Sequence, residues 1–371
     1  MRIWRSGGRV LLGAVVALVI LVVLVFYLAR VPSVQDAILR HVIDRNLAAS
    51  RTDLLAPDAL RVVLCGTGDP LPDRNRANAC TAIFAGGNFY LVDTGPGSWK
   101  NLTLWHIPAA RLAAVLLTHY HSDHIGDLGE TNLETWANGR EHPLRVYGPP
   151  GVDQVVEGFA QAYALDEGYR IAHHGVALMP PANWKMEPLA VKIDTPAGAP
   201  CAGGSAIVLD ENGLKATAFT VNHAPATPAY GYRFDFKGRS VVVSGDTTVC
   251  ANLVAQSKGA DVLIHEAQSS TMVKMIQAAA RRAGNARAEK IMHDIQLYHT
   301  TPVEAATEAN EAGVQLLVLS HLGPPTPNAI ARMAFMRGVA AVRPRGVVMG
   351  FDGMLLTLPI GSKTIITSSV E

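Results

Sequence analysis

Four potential metal ligands lie within six residues of the sequence, directly after an apolar segment at 112–117: His119, His121, Asp123 and His124. Alternate residues of an extended segment point to the same side, so the first two histidines can bind one ion together. Asp123 and His124 begin a turn and face a neighbouring position, where they can bind a second ion. Imidazole and carboxylate ligands favour two divalent ions, most simply Zn²⁺, with Mn²⁺ or Fe as alternatives.

The segments that would position these ligands are short apolar stretches separated by turn signals. Gly86 and Gly87 join two of them as a hairpin. Strand-rich halves, each followed by helices, predict an α/β fold of two packed sheets with helices outside. The predicted strands are 60–64, 81–85, 88–93, 112–118, 145–147, 206–209, 216–221, 231–236, 240–244, 262–265, 316–320, 347–350 and 354–358. The predicted helices are 152–164, 271–284, 302–312 and 326–338.

The order His-x-His-x-Asp-His at 119–124 resembles the signature of the metallo-β-lactamase superfamily. The segment 91–95 is similar to the strand and Asp-containing turn of that superfamily, and the similarity extends from about residue 60 to 358. Three later residues occur in the superfamily's order: His223, Asp246 and His321. The resemblance implies an αββα sandwich of two mixed β-sheets flanked by helices, with the site along one edge.

Four short motifs narrow the resemblance to the ribonuclease Z-like branch, which also includes small phosphodiesterases and aryl sulfatases. Residues 66–72 are similar to the opening loop of the branch, and 231–233 match its Gly-Tyr-Arg strand. Residues 265–268 resemble its His-Glu-Ala-Thr motif, with Gln268 in place of threonine. Residues 299–301 resemble its His-Ser-Thr motif, with threonine in place of serine.

The resemblance assigns roles to particular residues of this chain. It implies one ion held by His119, His121 and His223, a second held by Asp123, His124 and His321, and Asp246 bridging both. It implies a metal-bridged hydroxide as nucleophile, with Asp123 in the catalytic set and Asp93 orienting a ligating histidine. It also implies that His299, oriented by Glu266, assists the leaving group.

His299 has a second interpretation that is purely structural. Thr301, Pro302 and Glu304 form a predicted capping box with proline at the first helical position, and His299 lies just before it. Both interpretations can hold together, because the cap would fix the position of the imidazole.

The insertion at 151–175 contains Tyr169, Arg170, His173 and His174, which we expect either to line the mouth of a substrate pocket or to lie in a loop without function.

The substrate expected from the sequence is a small anionic ester, either a phosphodiester or an aryl sulfate. The tRNA-processing members of the branch carry a long arm between the positions of His223 and Asp246, and here only 224–245 separate them. Residues 59–371 are also slightly acidic, which argues against nucleic acid as a partner. A lactonase or other acyl hydrolase on the same metal site, and a non-enzymatic anchored binding protein on this fold, are the alternatives. Because many members of the branch dimerise, a homodimer is also expected.

The N-terminal part predicts a membrane anchor. Residues 10–29 are uncharged and long enough to span a bilayer, and arginines concentrate before them. We expect a cytoplasmic segment at 1–9, an uncleaved transmembrane anchor at 10–29, a stalk or linker helix within 30–58 and a catalytic domain at 59–371. The domain would lie on the far side of the membrane, in the periplasm of a bacterium. A cleaved signal peptide is the alternative.

The four cysteines permit disulfides in such a location. Cys65 and Cys80 flank a predicted strand–loop–strand and form a plausible pair, while four buried free thiols remain the alternative.

Overall fold

The computed structural model describes residues 3–195 and 198–370, with side chains described from Leu11 onwards. Arg2, on which the predicted membrane orientation partly rests, lies outside the described residues, as do the side chains of Arg5 and Arg9. The chain divides into two compact units, one ending at Ser50 and the other beginning at Arg51.

The first unit contains two helices, α1 (Ile3–Leu28) and α2 (Pro32–Ala48). Within α1, the segment Leu11–Leu28 is long and apolar enough to cross a membrane, judged by length and composition alone. Helix α2 starts with a proline in its first turn, where the missing N–H costs no hydrogen bond.

The second unit contains the sheets and the remaining helices. The described helices are α3 (Ser98–Leu104), α4 (Ser122–Ile125), α5 (Leu128–Ala137), α6 (Val152–His174), α7 (Pro181–Trp184), α8 (Ala251–Ser257), α9 (Ser270–Arg282), α10 (Ala286–Asp294), α11 (Pro302–Ala312), α12 (Ala329–Phe335) and α13 (Val339–Val342). The described strands are β1 (Ala59–Gly66), β2 (Cys80–Ala85), β3 (Asn88–Val92), β4 (Leu112–Leu116), β5 (Leu144–Gly148), β6 (Met186–Ala190), β7 (Ser205–Glu211), β8 (Leu214–Val221), β9 (Ala229–Phe236), β10 (Arg239–Val243), β11 (Val262–Gln268), β12 (Leu316–Gly323), β13 (Val347–Met349), β14 (Met354–Pro359) and β15 (Ile366–Ser369).

The described strands form two mixed sheets. One sheet has the order β15-β14-β1-β2-β3-β4-β5-β6, and the other has the order β13-β12-β11-β10-β9-β8-β7. Strands β1 to β3 pair antiparallel and β3 to β6 parallel, and the second sheet changes in the same way at β10. Helices cover the outer faces, so the predicted αββα sandwich is confirmed.

Strand β1 shows how the sequence produces this layering. Leu60, Val62 and Leu64 point into the core between the sheets, whereas Val63 and Cys65 point towards the outer helices. Because both faces are covered, the strand is apolar almost throughout instead of alternating with polar residues. Burial of each aliphatic side chain contributes about 1.5–3 kcal/mol to this packing.

All four cysteines are paired in disulfides, Cys65 with Cys80 and Cys201 with Cys250. The first bond joins neighbouring strands β1 and β2. The second connects the segment before β7 to the start of α8, and both of its cysteines belong to the cluster that packs helices against the second sheet.

Several element bounds differ from those predicted. The helix expected over 152–164 continues to His174, and α10 and the edge strands β6 and β15 were not expected. The helix expected over 326–338 is confined to α12, and a separate short helix, α13, follows Gly338, which takes a φ of 89°. Edge strands lack the two-sided burial that makes inner strands recognisable, and much of β6 and β15 is exposed.

Candidate metal centre

The densest part of the site lies in the loop between β4 and α4. His119 and His121 follow the strand, and the short helix α4 carries Asp123 and His124. The second sheet fixes this loop: Tyr232 on β9 donates its hydroxyl to the carbonyl of Leu117 at 2.8 Å. The ligand loop is therefore attached to both sheets.

Three further candidate ligands come from the second sheet. His223 follows β8, Asp246 follows β10, and His321 lies near the end of β12 with a φ of 47°. Gly245 turns the chain towards Asp246 with a φ of 62°, and an added Cβ there would lie 2.5 Å from the carbonyl oxygen of Tyr230. A side chain at that position would therefore displace the carboxylate.

The structure brings these seven residues into adjoining groups. His119, His121, His223 and Asp246 form one group, and Asp123, His124 and His321 form another, with the ligand atoms in each group within 4.8 Å of one another. Asp246 lies between the groups.

The Oδ2 atom of Asp246 is close to four imidazoles at once. It lies 3.9 Å from Nε2 of His119, 3.4 Å from that of His124, 3.6 Å from that of His223 and 3.5 Å from that of His321. A carboxylate in this position can contact ions in both groups.

Two unpartnered buried atoms show that the pocket fits cations. Nε2 of His124 and Oδ1 of Asp246 lack a hydrogen-bond partner among the described residues, although such buried groups are normally paired. In the same pocket, Nε2 of His119 lies 3.0 Å from Nδ1 of His121. Nitrogen and oxygen donors converging on one point suit divalent transition metals, which satisfy all of these atoms together.

The electrostatics of three histidines and of Asp246 favour metal binding. Burial lowers the pKa values of His119, His121 and His223, which keeps these imidazoles neutral with free lone pairs. Burial would raise the pKa of Asp246, but the imidazoles of His321 and His124 outweigh it and hold this pKa well below its usual range. The carboxylate is therefore ionised and available to a cation.

A carboxylate behind the ligands orients one of them. Oδ2 of Asp93 lies 2.8 Å from Nδ1 of His124, which leaves Nε2 directed into the pocket. Asp93 also accepts hydrogen bonds from the backbone N–H and the hydroxyl of Thr118, at 2.8 and 2.9 Å. His223 is oriented in a similar way, since its Nδ1 lies 2.9 Å from the carbonyl of Tyr298.

His299 and Glu266 form an ion pair beside the ligands. Nδ1 of His299 lies 2.9 Å from Oε1 of Glu266, and the same oxygen accepts hydrogen bonds from the N–H groups of Thr247 and Thr300. Burial lowers the pKa of His299, but Glu266 outweighs this and raises it above its ordinary value. The expected capping box at Thr301 is present.

His265 lies away from this pair. Its Nε2 is 3.0 Å from Oε2 of Glu308, within the packing of β11 against α11.

A cleft of about 310 Å³ opens beside the two groups. Its walls combine the metal-site residues with an apolar surface from the opening loop and from the segment around α10. The residues not expected from the sequence are Asp69, Pro70, Leu71, Gln268, Ile291, Met292, Ile295 and Tyr298.

Asp69 is the main functional candidate that the sequence pattern does not indicate. It is 6% exposed, and burial raises its pKa to about 7. The only available signal was its place in the opening loop, directly after Gly68. Gln268 is also buried, and its Oε1 has no hydrogen-bond partner among the described residues.

The four residues expected at the mouth of the pocket lie elsewhere. Tyr169, Arg170, His173 and His174 are on helix α6, and none of them lines the cleft. Tyr169 is 62% exposed, and Arg170 pairs with Asp166 four residues earlier on the same helix. The insertion is helical instead of forming a loop, which carries these side chains away from the cleft.

Comparison with known proteins places this geometry in a family. Residues 88–322 match the β-lactamase superfamily domain. A ribonuclease Z from Mycobacterium bovis (strain BCG / Pasteur 1173P2) is 37% identical over 268 residues, which cover 71% of this chain and 86% of the relative. A ribonuclease Z from Mycobacterium sp. (strain KMS) is 36% identical over 296 residues, or 79% and 94% of the two chains.

Solved structures share the fold at lower identity. Human tRNase Z, short form (ELAC1), matches with a TM-score of 0.57 and 20% identity, covering 81% of this chain and all of the other. The metallo-β-lactamase fold protein YhfI from Bacillus subtilis matches with a TM-score of 0.55 and 22% identity over the same shares.

These relatives correct the expected partners. The expectation of a small anionic ester as substrate, with no nucleic acid, is wrong, because the relatives that cover most of this chain are ribonucleases by name. Net charge is a poor guide to such a partner because it averages the whole surface, whereas a polyanion responds to the local density of cations.

Proposed function

The chain belongs to the metallo-β-lactamase superfamily of hydrolases, and from that membership we propose that it is a two-metal phosphodiesterase whose substrate is RNA. The observation that carries the proposal is the clustering of six candidate ligand residues around Asp246, with the His299–Glu266 pair beside them. The ribonuclease names of the relatives support the substrate class.

We propose His119, His121 and His223 as ligands of one ion, Asp123, His124 and His321 as ligands of the other, and Asp246 as the bridge. When bound, the ions supply Lewis acidity to the phosphoryl oxygens and a water of lowered pKa. Zn²⁺ is the proposed metal, since neutral imidazoles and carboxylates suit it. Asp93 keeps His124 in the orientation that presents Nε2.

His299 is proposed to protonate the leaving oxygen as its bond to phosphorus breaks. Its Nδ1 is held by Glu266, which leaves Nε2 to carry the proton. Glu266 favours the protonated ring by raising the pKa of His299. This is the arrangement expected of a general acid.

The walls of the cleft fit a nucleotide. Tyr298 offers a half-buried aromatic ring, and Leu71 and Ile291 add apolar surface. Stacking of a base on an aromatic side chain is worth about 1–3 kcal/mol and tolerates any base. Asp69 adds a group in the same cleft that holds a proton up to about neutral pH.

The test is a substrate panel with the full chain in detergent, loaded with Zn²⁺ or Mn²⁺. The panel contains a labelled single-stranded RNA, an RNA hairpin with a single-stranded tail, a tRNA transcript, p-nitrophenyl sulfate and a lactone. We expect cleavage of at least one RNA, abolished in Asp246→Ala and retained in His174→Ala, a matched change of an exposed histidine outside the cleft. Turnover of the lactone or the sulfate with no cleavage of any RNA would refute the proposal.

We also propose that residues 10–29 anchor the chain in a membrane, with 30–58 as the linker and 59–371 as the catalytic domain on the far side. The apolar stretch Leu11–Leu28 and the two disulfides support this placement, since disulfides persist in oxidising compartments. Protease added to spheroplasts of a bacterial host should digest the domain while cytoplasmic markers stay intact. Protection of the domain, or a mature N-terminus near Val31, would contradict the arrangement.

A further inference from the structure

A second cavity in the described part of the second unit lies next to the metal cleft and is lined by cations. Its volume is about 690 Å³, roughly twice that of the cleft. Its walls carry four basic side chains: Arg51, Arg74, Arg76 and Lys100. None of the ligand residues or the proposed proton donor takes part in it.

Two of these cations are uncommitted. Arg74 and Lys100 are exposed, and neither forms an ion pair or a side-chain hydrogen bond with any residue in the described ranges. Arg51 is held by Asp53 at 2.9 Å, and Arg76 donates to the carbonyl of Gly350 at 2.8 Å, with Asp73 at 3.9 Å. Arg74 and Lys100 are therefore the groups that an incoming anion would meet.

The single carboxylate in the cavity wall does not neutralise them. Asp352 accepts hydrogen bonds from Thr67 and Ala77 through their backbone N–H groups, at 3.0 and 2.6 Å, and from the amide of Asn101 at 2.9 Å. The carboxylate oxygens of Asp352 are therefore directed to the loop at 67–77 and to helix α3. In the wall of the cavity, four cations therefore face one carboxylate.

One short loop forms a wall of both the cavity and the metal cleft. Leu71 lines the cleft, and Arg74, three positions later, lines the cavity. Three residues of extended chain span at most about 11 Å. The loop is also closed at its base, where the N–H of Gly68 donates to the carbonyl of Ala77 at 2.9 Å. The cavity and the metal cleft are therefore neighbours, separated by this loop.

We propose that this cavity binds a backbone phosphate of the RNA whose scissile bond lies at the metal groups. The inference rests on the proposed function and adds to it a second contact for the polyanion, a few nucleotides from the cleaved bond. Phosphate contacts of this kind fix the register of a nucleic acid and carry no sequence information. The contact would select chains long enough to reach both hollows.

The test compares a long and a minimal substrate with four proteins: wild type, Arg74→Ala/Lys100→Ala, the charge-conserving Arg74→Lys/Lys100→Arg, and a control. The control, Lys258→Ala/Lys363→Ala, removes two exposed lysines elsewhere. For each protein, kcat and KM are measured on the best RNA of the panel and on bis-p-nitrophenyl phosphate, an artificial diester too small to reach the cavity.

We expect Arg74→Ala/Lys100→Ala to raise KM for RNA about tenfold or more, with kcat nearly unchanged and the small diester unaffected. The slope of log KM against log salt should flatten by about 0.7 for each lost phosphate contact. The charge-conserving variant and the control should resemble wild type.

Two other outcomes are distinguishable. If wild type cleaves RNA and Arg74→Ala/Lys100→Ala matches the control in KM and salt slope, the cavity is not a phosphate site and the proposed function stands. If wild type hydrolyses the small diester and cleaves no RNA, the RNA substrate and the phosphate site fail together.

Discussion

Nδ1 of His299 lies 2.9 Å from Oε1 of Glu266, and two backbone N–H groups hold that same carboxylate oxygen in place. The imidazole is thus fixed by a group that is itself fixed. A histidine held in this way can donate a proton from Nε2 without first reorienting.

Replacement of His299 by alanine should separate catalysis from metal binding. We expect kcat to fall about 10²- to 10⁴-fold because the leaving oxygen loses its proton donor. Metal content, measured by plasma mass spectrometry, should stay at the wild-type value. A parallel loss of metal and activity would instead assign His299 to the ligands, since it also lies within reach of Asp246 and His321.

Glu266→Gln should shift the pH dependence of the same step. Glu266 raises the pKa of His299, so its neutral replacement lowers that pKa. The active, protonated imidazole is then lost at a lower pH, and the alkaline limb of the kcat profile should move towards acid. An unchanged limb would mean that another group sets it.

Asp246→Ala should lose both ions, whereas His223→Ala should lose mainly one. The reason is that Asp246 lies near ligands of both groups, while His223 belongs to a single group. Dialysis followed by metal analysis should give about two ions per chain for wild type. If both variants retained one ion per chain, the result would contradict a bridging role for Asp246.

Asp69→Asn should change the pH dependence of stability in the metal-free protein. Burial raises the pKa of Asp69 from 3.8 to about 7, so the folded chain binds more protons than the unfolded chain between these values. Wild-type stability should therefore fall as the pH rises from about 4 to 7, and the asparagine variant should lose this part of the decline. Urea unfolding at pH 5 and pH 8 gives the free energy of unfolding of both proteins. The same change in that free energy between the two pH values in both proteins would contradict the prediction.

Loss of the two disulfides should have unequal effects. The loops that they close differ in length, with sequence separations of 15 for Cys65–Cys80 and 49 for Cys201–Cys250. Chain entropy then predicts losses of about 3 and 4 kcal/mol in the free energy of unfolding. Denaturant titration of the two double-alanine variants tests the order, and alkylation with mass analysis establishes the oxidised state in wild type.

The grouping of the metal-site residues followed from the sequence because their side chains are chemically distinctive and closely spaced. His119, His121, Asp123 and His124 lie within one short segment, so local geometry already placed them together. His223, Asp246 and His321 are distant in the sequence, and the family resemblance was needed to join them to the first four.

The walls of the cleft could not be predicted in the same way. Asp69 and Gln268 become noteworthy only through burial, which is a property of the folded chain. Ile291 and Met292 lie on a short helix with an ordinary polar sequence around them. The reverse holds for Tyr169 and His173. Their side chains are of types that often occur in binding sites, but helix α6 carries them away from the cleft.

The expected absence of nucleic acid failed because the overall charge was taken to describe the surface. A near-neutral total is compatible with a local excess of cations, such as the one at Arg74 and Lys100. The fold decides which cations lie close together on the surface, and the sequence alone does not show this.

The pairing of β1 with β14 affects how the protein can be made. The two strands are adjacent in one sheet, yet a ribosome completes β14 long after it has completed β1. Until then β1 has one open edge, and such edges invite pairing with other chains. Folding dominated by contacts so distant in sequence is slow. A stop codon before Met354 would leave that edge permanently uncovered and should yield aggregates.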